Sequence, residues 1–458
     1  MTLIRSISGI RGTIGGSPGE GLTPQDIVMY TSAWGSWLMR QERKKRYRAV
    51  IGRDARISGE MVNHLVCGTL MGMGIDVTDL GPATTPTVEM AVKFEEADGG
   101  IILTASHNPA HWNALKLLNN RGEFLSAADG ELLLEIASSG SFNYAEVYEL
   151  GNYRVETGYT RRHIEEILNL PLVDREAIRA GNFKVAVDCI NSVGGTAVPQ
   201  LLETLGVKEI IKLHCEPDGN FAHNPEPLPA NLIELSEKVV AAKADLGFAV
   251  DPDVDRLAIV NEDGTMFGEE YTLVAVADYV LQNTPGNTVS NLSSTMALKD
   301  ITGKHGGVYS ASAVGEVNVV EEMKRTRAVI GGEGNGGVIY PPLHYGRDAL
   351  AGIALFLSHL ARSGSSCSEL RKLYPDYHLV KNRIELSENI DTGKILSDIK
   401  TIYSDHPVND ADGVRIDFPE GWVHLRKSNT EPIIRIYSEA ETEEKAVMLA
   451  DRIAGHIR

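Results

Sequence analysis

A serine that could carry a phosphoryl group lies in residues 104–109, which read Thr-Ala-Ser-His-Asn-Pro. The apolar run just before it predicts a buried strand, so Ser106 would lie at the sharp break where that strand ends, a place where loops commonly display functional groups. An unaided hydroxyl is a poor nucleophile, but a phosphoserine is a phosphoryl donor whose charge of about −1.5 to −2 requires a cation nearby. An Asn-Pro turn without chemistry is the alternative for this segment taken alone.

Three aspartates, Asp251, Asp253 and Asp255, alternate with other residues directly after the apolar run at 246–250. In an extended segment, side chains two residues apart point to one side, where three carboxylates would repel one another unless a cation is bound. Mg²⁺ takes oxygen ligands and commonly completes its shell with phosphate oxygens and water. The spacing does not fit the EF-hand pattern. A solvated acidic turn is the alternative, which the adjoining strand and Arg256 disfavour.

Residues 331–337 form a glycine-rich segment, Gly-Gly-Glu-Gly-Asn-Gly-Gly. It satisfies the dinucleotide pattern Gly-x-Gly-x-x-Gly, but Val-Ile-Tyr-Pro-Pro follows where a phosphate-binding helix should begin, and the acidic residue expected downstream is missing. A flexible loop that offers Glu333 and Asn335 to hydroxyl groups fits these residues better.

Residues 426–435, Arg-Lys-Ser-Asn-Thr-Glu-Pro-Ile-Ile-Arg, place cations, hydroxyls and an amide just before a predicted strand. Arginine offers a bidentate fork to phosphate, and hydroxyls and backbone N–H groups add further donors. Because the net charge is −18, a chain that binds an anion must concentrate positive charge locally, and this segment does so. A polar turn between two strands is the alternative.

The composition is that of a globular protein with several domains. A length of 458 residues predicts three or four domains, and 43% hydrophobic with 23% charged residues is an ordinary balance. The apolar runs are too short for a membrane span, and the N-terminus lacks the apolar region of a signal peptide, so we expect a cytoplasmic protein. The acidic charge argues against nucleic acid as a partner.

Four cysteines (Cys67, Cys189, Cys215 and Cys367) are scattered, and none is paired at Cys-x-x-Cys spacing. We therefore expect reduced and mostly buried thiols rather than a disulfide framework or a zinc site.

A strand–loop–helix pattern recurs along the chain, starting near Ala49, Val185 and Thr288. This recurrence predicts three α/β domains, although the pattern is common in any α/β protein. The last ninety or so residues alternate like antiparallel strands and end in an amphipathic helix over 441–457, which predicts a small α+β domain. The predicted domains are 1–151 (α/β, serine loop), 152–260 (α/β, aspartate loop), 261–366 (α/β, glycine-rich loop) and 367–458 (α+β, arginine loop).

These four segments, in this order and across the whole chain, resemble the α-D-phosphohexomutase superfamily. By position they match its phosphoserine loop, magnesium loop, sugar-specificity loop and phosphate-binding loop. The resemblance implies three related mixed α/β domains and a C-terminal domain similar to the TATA-box-binding-protein fold. It also implies an active site in the cleft where the four domains meet.

The resemblance also implies roles for individual residues. Ser106 would be the phosphoserine, and one of its phosphate oxygens would bind Mg²⁺ together with the three aspartates. General acid/base catalysis and charge stabilisation would fall to Arg11, His107 and Lys116, in an order that the residues do not decide. The residues implied to bind the sugar phosphate are Glu333, Asn335, Arg426, Ser428, Asn429, Thr430 and Arg435.

The implied reaction moves phosphate between two oxygens of a hexose. Ser106 would give its phosphoryl group to the sugar, the bisphosphorylated intermediate would turn over, and the other phosphate would return to Ser106; a sugar bisphosphate would act as activator. The family often has Glu-x-Ser in the specificity loop, whereas Asn335 takes the serine position here. This loop and residues 8–13 look most like bacterial phosphoglucosamine mutases, which convert glucosamine 6-phosphate to glucosamine 1-phosphate.

Other functions remain open on the residues alone. The first alternative is a phosphoglucomutase/phosphomannomutase that acts on neutral hexose phosphates. A metal-dependent sugar phosphatase would also use the aspartates but would not need a remote phosphate clamp, and a non-catalytic binding protein would not need Ser106. We expect a phosphorylated hexose as the partner and a monomer or homodimer.

Overall fold

A computed structural model describes residues 1–6, 9–385, 391–427 and 433–457. The chain divides into two compact units, each made of two stretches of sequence. The first unit is Met1–Thr272 with Asn335–Ser368, and the second is Leu273–Gly334 with Glu369–Arg458.

The first sheet has seven strands of mixed direction, in the order β1-β2-β6-β5-β3-β4-β7. Strands β3, β4, β5 and β7 pair in parallel, while β1, β2 and β6 pair antiparallel. The elements are β1 (Leu3–Ser6), β2 (Gly9–Thr13), α1 (Pro24–Gln41), β3 (Tyr47–Arg53), α2 (Gly59–Gly72), β4 (Ile75–Pro82), α3 (Thr85–Phe94), β5 (Gly99–Leu103), β6 (Trp112–Leu118), α4 (Ala127–Ser139) and β7 (Tyr153–Val155).

Helices cover both faces of this sheet because the side chains of its central strands alternate between two apolar clusters. In β3, Ile51 packs in one cluster with α1, α2 and α4, whereas the neighbouring Val50 packs in the other with α3. Helix α1 begins sharply because Thr23 and Asp26 form a reciprocal capping box. Strands buried on both faces suit the near-continuous apolar runs of the sequence.

The second sheet has the order β11-β10-β8-β9, with β11 antiparallel and the others parallel. Its elements are α5 (Tyr159–Leu168), α6 (Arg175–Gly181), β8 (Lys184–Asp188), α7 (Gly194–Leu205), β9 (Glu209–Leu213), a 3-10 helix (Pro229–Asn231), α8 (Ile233–Ala242), β10 (Leu246–Val250) and β11 (Leu257–Asn261). The aspartate loop joins β10 to β11.

The third group of strands lies further along the chain. Strand β12 pairs in parallel with both β13 and β14. The elements are α9 (Tyr271–Asn283), β12 (Thr288–Asn291), α10 (Ala297–Lys304), β13 (Tyr309–Ser312), α11 (Glu316–Thr326), β14 (Ile330–Glu333), β15 (Gly337–Ile339) and α12 (Ala349–Ser363). Helix α12 belongs to the first unit, where it contacts α5, α6 and α7.

The last sheet is antiparallel, in the order β16-β20-β19-β18-β17, and α15 packs on it. The elements are α13 (Cys367–Arg371), β16 (His378–Glu385), α14 (Thr392–Ile402), β17 (Val408–Asn409), β18 (Val414–Phe418), β19 (Gly421–Lys427), β20 (Ile433–Ala440) and α15 (Glu443–Ala454). Mixed α/β sheets followed by an antiparallel sheet confirm the predicted fold class. The domain boundaries drawn from the sequence stay predictions.

The cysteines and the helices can be compared with the expectations from the sequence. All four cysteines are free thiols, and three of them are buried. Within the described ranges, a search for helices long and apolar enough to cross a membrane finds none.

Candidate active site

Ser106 lies in the turn between β5 and β6, as its position after an apolar run predicts. Its backbone adopts a left-handed φ of 49°, and its side chain is buried. Left-handed backbone is uncommon for a residue other than glycine and occurs disproportionately at functional sites. The turn therefore holds the Ser106 hydroxyl in one direction.

Arg56 anchors this turn through hydrogen bonds to four backbone carbonyl oxygens. Its guanidinium donates to the carbonyl oxygens of Ser106 and Asn108 at 2.6 Å each, and to those of Pro109 and Trp112 at 2.7 and 3.0 Å. Asp54 pairs with its Nε at 3.0 Å, and both side chains of the pair are fully buried. A planar fork with five donors can satisfy several carbonyls at once, so Arg56 fixes the path of the serine loop.

The aspartate loop is a turn rather than the extended segment that the sequence analysis assumed. Val254 has a left-handed φ of 63°, and the chain reverses from β10 into the antiparallel β11. The side chains nevertheless converge, because one ligand oxygen from each of Asp251, Asp253 and Asp255 lies within 4.8 Å of the others. All three residues are completely buried. The turn therefore brings the three carboxylates together, rather than the alternation of side chains along an extended strand.

Positive charge offsets part of this buried acidity. Lys116, on β6, lies with its Nζ 2.6 Å from Asp253 Oδ2 and 3.4 Å from Asp255 Oδ2. Arg347 donates to Asp255 Oδ2 at 2.7 Å, and the Thr85 hydroxyl donates to Asp253 Oδ2 at 2.6 Å. Asp253 and Asp255 thus each have their Oδ2 engaged by groups of the protein.

The opposite oxygens fit a metal ion. Within the part of the chain that the structure describes, the Oδ1 atoms of Asp253 and Asp255 are buried and accept no hydrogen bond. Burial and the charges of its two neighbours raise the pKa of Asp251 well above its usual range. Burial alone would also raise the pKa of Asp253, but Lys116 outweighs it and holds the pKa below the usual range. Converging carboxylate oxygens without donors are the ligands that hard divalent cations take.

The serine and the aspartates form one constellation. The Ser106 hydroxyl donates to Asp251 Oδ2 at 2.9 Å, and the Nδ1 of His107 lies 3.3 Å from Ser106 Oγ. Arg11, on β2, donates to Asn108 Oδ1 at 2.8 Å in the same turn. The first unit therefore brings together Ser106, the three aspartates, His107, Lys116 and Arg11.

His107 and Lys116 have opposite protonation preferences. Burial, followed by the charges of Arg256 and Arg11, lowers the pKa of His107 to about 2, so the ring is neutral. Burial alone would lower the pKa of Lys116, but the charges of Asp253 and Asp255 raise it. The ammonium group therefore supplies fixed positive charge, while the imidazole is a weak base that stays neutral.

The glycine-rich segment continues into strand β15 and not into a helix, as its residues predict. Gly336 has a φ of 83°, and an added Cβ would lie 2.3 Å from the Leu257 carbonyl oxygen, which explains the glycine there. Asn335 accepts from the Gly337 N–H at 3.3 Å. In the second unit, Glu333 Oε1 accepts from Asn291 Nδ2 at 2.9 Å and from the Gly315 N–H at 3.0 Å.

The second unit also carries a row of arginines across its antiparallel sheet. Arg435 on β20 lies directly opposite Arg426 on β19 and directly opposite Arg383 on β16. The Arg426 Nε lies 3.5 Å from Asp412. Residues Ser428, Asn429 and Thr430, which the sequence analysis assigned to phosphate, lie outside the described residues. Like charges directly opposite on a sheet are destabilising, so such a row suits an anion site.

Comparison with known proteins covers the chain from end to end. Four successive stretches match the family described as phosphoglucomutase/phosphomannomutase: residues 3–143 match its alpha/beta/alpha domain I, 161–264 domain II, 268–377 domain III, and 383–456 its C-terminal domain. The chain belongs to this family. It is therefore an enzyme of the phosphohexomutase type, as the resemblance implied.

Relatives agree over nearly their full length. A "Phosphoglucomutase/phosphomannomutase" of Thermococcus kodakarensis is 37% identical over 95% of this chain and 95% of its own. A "Phosphoglucosamine/phosphogalactosamine mutase" of Sulfurisphaera tokodaii is 32% identical over 97% of each chain. The crystal structure of a phosphoglucomutase/phosphomannomutase family protein from Burkholderia thailandensis matches with a TM-score of 0.84 and 26% identity, over 100% of this chain and 98% of that one. The family is metal-dependent, and Asp251, Asp253 and Asp255 form an acidic group able to hold a metal.

Three residues that contact the candidate site were not predicted from the sequence: Arg56, Arg347 and Thr85. Arg56 lies in Arg-Asp-Ala-Arg directly after β3, so its position at a strand end was an available signal. Arg347 lies in Gly-Arg-Asp before α12, and Thr85 begins α3, but neither position indicates chemistry without the fold.

Proposed function

We propose that this enzyme interconverts the 6-phospho and 1-phospho forms of a hexose, with Ser106 as the phosphoryl carrier. The observation that carries the proposal is the 2.9 Å hydrogen bond from the Ser106 hydroxyl to Asp251, whose carboxylate converges with those of Asp253 and Asp255. A phosphate on Ser106 would lie beside this group. Mg²⁺ held there by the three aspartates and one phosphate oxygen would neutralise charge on the transferred group.

The remaining residues of the first unit would serve the transfer. The phosphoryl group leaves Ser106 Oγ for a sugar hydroxyl oxygen, and the proton of that hydroxyl must go to a base. We assign this role to His107 on geometry alone, because its Nδ1 lies 3.3 Å from Ser106 Oγ; its lowered pKa makes it a weak base. Lys116 and Arg11 would stabilise negative charge on the transferred group. In the second half-reaction the other phosphate of the bisphosphorylated sugar returns to Ser106, with a hexose bisphosphate as activator.

Binding of the sugar phosphate is assigned to the glycine-rich and arginine segments of the sequence. Arg426, Arg435 and the three residues 428–430 would clamp the phosphate that is not reacting, and the arginine row supports this role. Glu333 would accept hydrogen bonds from sugar hydroxyls.

We propose glucosamine 6-phosphate as the preferred substrate. A carboxylate such as Glu333 suits an ammonium group on the sugar as well as its hydroxyls, and the Sulfurisphaera tokodaii relative is named for amino sugars. Neutral hexose phosphates are the second candidate because the Thermococcus kodakarensis relative is named phosphoglucomutase/phosphomannomutase.

The deciding measurement is kcat/KM for glucosamine 6-phosphate, glucose 1-phosphate and mannose 1-phosphate, with Mg²⁺, a trace of hexose bisphosphate and free phosphate monitored. Isomerisation of glucosamine 6-phosphate as the best substrate, without phosphate release, is the expected result. Preference for a neutral hexose would overturn the amino-sugar assignment only. Release of phosphate without isomerisation would overturn the mutase assignment and favour a phosphatase.

The residue roles are tested with variants of the first unit. Ser106→Ala should lower kcat by about 10³-fold or more, since the carrier oxygen is lost, whereas the exposed Ser138→Ala on α4 should be neutral. Asp251→Asn should weaken activation by Mg²⁺, and the exposed Asp263→Asn should not. Equal activity of Ser106→Ala and Ser138→Ala would contradict the carrier role.

A further inference from the structure

A second polar cluster lies at the edge of the second sheet, outside the proposed active site. Asp188 is the last residue of β8, His214 directly follows β9, and His223 lies in the loop beyond. Parallel neighbours β8 and β9 end at the same edge, which brings these residues together. Asp188 is buried, while the two histidine side chains are 19% and 20% exposed, so an ion from solvent can reach them.

One carboxylate oxygen is shared by both rings. Asp188 Oδ2 lies 3.0 Å from His214 Nδ1 and 3.1 Å from His223 Nε2. Its Oδ1 accepts from the Ile190 N–H at 3.0 Å, which fixes the carboxylate plane. Ile190 has a left-handed φ of 50°, rare for a β-branched residue. The oxygen between the two rings is therefore held rigidly.

The far side of each ring also faces an oxygen that can only accept. His223 Nδ1 lies 2.8 Å from the Asn224 carbonyl oxygen, and His214 Nε2 lies 3.5 Å from a Glu234 carboxylate oxygen. A neutral imidazole carries a single N–H. Each ring can satisfy both nitrogens as an imidazolium ion, or as a neutral ring that donates outward and binds a cation inward. His214, which is partly exposed, can also accept from water at Nε2.

We infer that Asp188, His214 and His223 bind a divalent cation of the Zn²⁺ class, through Oδ2, Nδ1 and Nε2 respectively. Imidazole and carboxylate are ordinary ligands of such ions. Around Zn²⁺, ligand atoms lie about 3.3 Å apart, so the separations of 3.0 and 3.1 Å need only a slight opening. The outward hydrogen bond of His223 to the Asn224 carbonyl, and the Glu234 carboxylate near His214, resemble the usual outer shell of metal-bound histidine. A fourth position is open to water.

This site differs chemically from the aspartate loop. It offers two nitrogens and one oxygen, whereas the aspartate loop offers oxygens alone, which Mg²⁺ prefers. The two sites lie on adjacent strands, because Asp188 pairs with Ala249 just before Asp251. Ser192 also donates to the Pro252 carbonyl oxygen at 2.6 Å. A cation here would cross-link the ends of β8 and β9 at the same sheet edge as the aspartate loop, which follows β10.

The test is Co²⁺ binding by the full-length protein, stripped with chelator and then kept in excess Mg²⁺. We expect one equivalent of Co²⁺ to give the intense visible band of a nitrogen-ligated, four-coordinate ion, and Zn²⁺ to displace it. His214→Gln and His223→Gln should each weaken binding by more than about tenfold, and Glu234→Gln, which removes only an outer partner, by about tenfold. Glu234 is 69% exposed, so this variant should fold normally.

Two controls separate the sites. His305→Gln removes a histidine paired with a single carboxylate, Asp278, and should leave Co²⁺ binding unchanged. Asp251→Asn should also leave it unchanged, so the cluster can be judged whether or not the proposed mutase activity holds. Equal Co²⁺ affinity of the wild type and His223→Gln would overturn the inference. NMR spectra that show both His214 and His223 protonated, in a protein that does not bind added Co²⁺, would also overturn it.

Discussion

Three chemically identical aspartates in the β10–β11 turn have three different environments. Asp251 accepts from the backbone N–H groups of Asp255 and Arg256 at 3.1 and 3.2 Å as well as from Ser106. Asp253 is paired with Lys116, and Asp255 with both Lys116 and Arg347. The protein cations pair with the Oδ2 atoms of Asp253 and Asp255. Among the described residues, the Oδ1 atoms of these two aspartates accept no hydrogen bond and could bind a metal. Complete burial without such cations would cost several kcal/mol per charge.

Replacing Arg56 tests how the serine loop is held. Arg56→Gln should lower the free energy of unfolding by about 3–5 kcal/mol, because Asp54 would become a buried charge without its partner. Arg56→Lys should recover part of the stability, since a lysine keeps the charge but not the planar fork. Urea unfolding measures both.

The matched control is Arg48→Gln, an exposed arginine on β3. It should change the unfolding free energy by no more than about 0.5 kcal/mol. A loss for Arg56→Gln no larger than for this control would show that the four carbonyl contacts carry little stability.

At this scale the sequence identifies residues whose type and spacing are distinctive. Ser106 and the aspartates were predicted as site residues because a serine at a strand end and alternating carboxylates after a strand indicate chemistry by themselves. Arg56 was missed because its partners are carbonyl oxygens some fifty residues away, a relation that exists only in the fold. The extended geometry expected for the aspartates was wrong because the left-handed φ of Val254 cannot be seen in a sequence.

At the scale of elements, antiparallel register is what concentrates positive charge. Strands β16, β20 and β19 each contribute one arginine to the same row, Arg383, Arg435 and Arg426. The first of these lies more than forty residues before the second, so no local pattern predicts the row. Residues 428–432 connect two of its strands, which places the predicted phosphate loop directly beside it in sequence.

Arg383 should contribute to binding the non-reacting phosphate. Arg383→Gln should raise KM by about three- to tenfold with little change in kcat, because that phosphate is held equally in the ground and transition states. It should also raise the unfolding free energy slightly, by about 0.5 kcal/mol, since like charges no longer face each other.

Steady-state kinetics and urea unfolding measure the two effects, with the exposed Lys445→Gln on α15 as the control. An unchanged KM together with lower stability would contradict a role for Arg383 in anion binding.

A buried histidine network ties together elements of the first unit and should respond to pH. His344 lies 3.3 Å from Asp348 and 3.3 Å from Glu89 on α3, with the His163 ring edge-on at 6.2 Å. Burial alone would lower the pKa of His344, but Asp348 and Glu89 raise it to about 9 from 6.5. The stabilisation is thus complete below pH 6.5 and lost as pH rises through 9.

The free energy of unfolding should therefore fall by up to about 3 kcal/mol between those pH values. His344→Gln should remove this dependence, because an amide does not titrate in this range. Urea titrations across the pH range measure it, and an equal slope in the wild type and His344→Gln would refute the assignment.

At the scale of the whole molecule, the two compact units are interleaved in sequence. Residues 335–368 return to the first unit after the chain has begun the second. There, Leu257 N–H donates to the Gly336 carbonyl at 3.1 Å, and Ala349 N–H donates to that of Val254 at 3.1 Å. Recurring strand–loop–helix patterns predicted the succession of sheets correctly. They could not predict which unit each segment completes, because that depends on contacts between distant stretches.

A fragment of residues 1–272 should not fold cooperatively. Without α12, the apolar surfaces of α5, α6 and α7 that pack against it would be exposed to solvent. Joining residues 335–368 to it through a flexible linker should restore a single sharp thermal transition. Circular dichroism and calorimetry distinguish the two, and sharp unfolding of the 1–272 fragment alone would contradict the prediction.

The interleaving also determines when, during protein synthesis, each unit can complete its fold. A ribosome releases residues 1–272 first, yet the helix that completes their packing emerges only after residues 273–334 have been made. Until then the nascent chain must keep an incomplete apolar surface from sticking to its neighbours. Domain-by-domain folding during translation would therefore pause at this point. The first unit becomes whole only when residue 368 has been made, and the second only at residue 458.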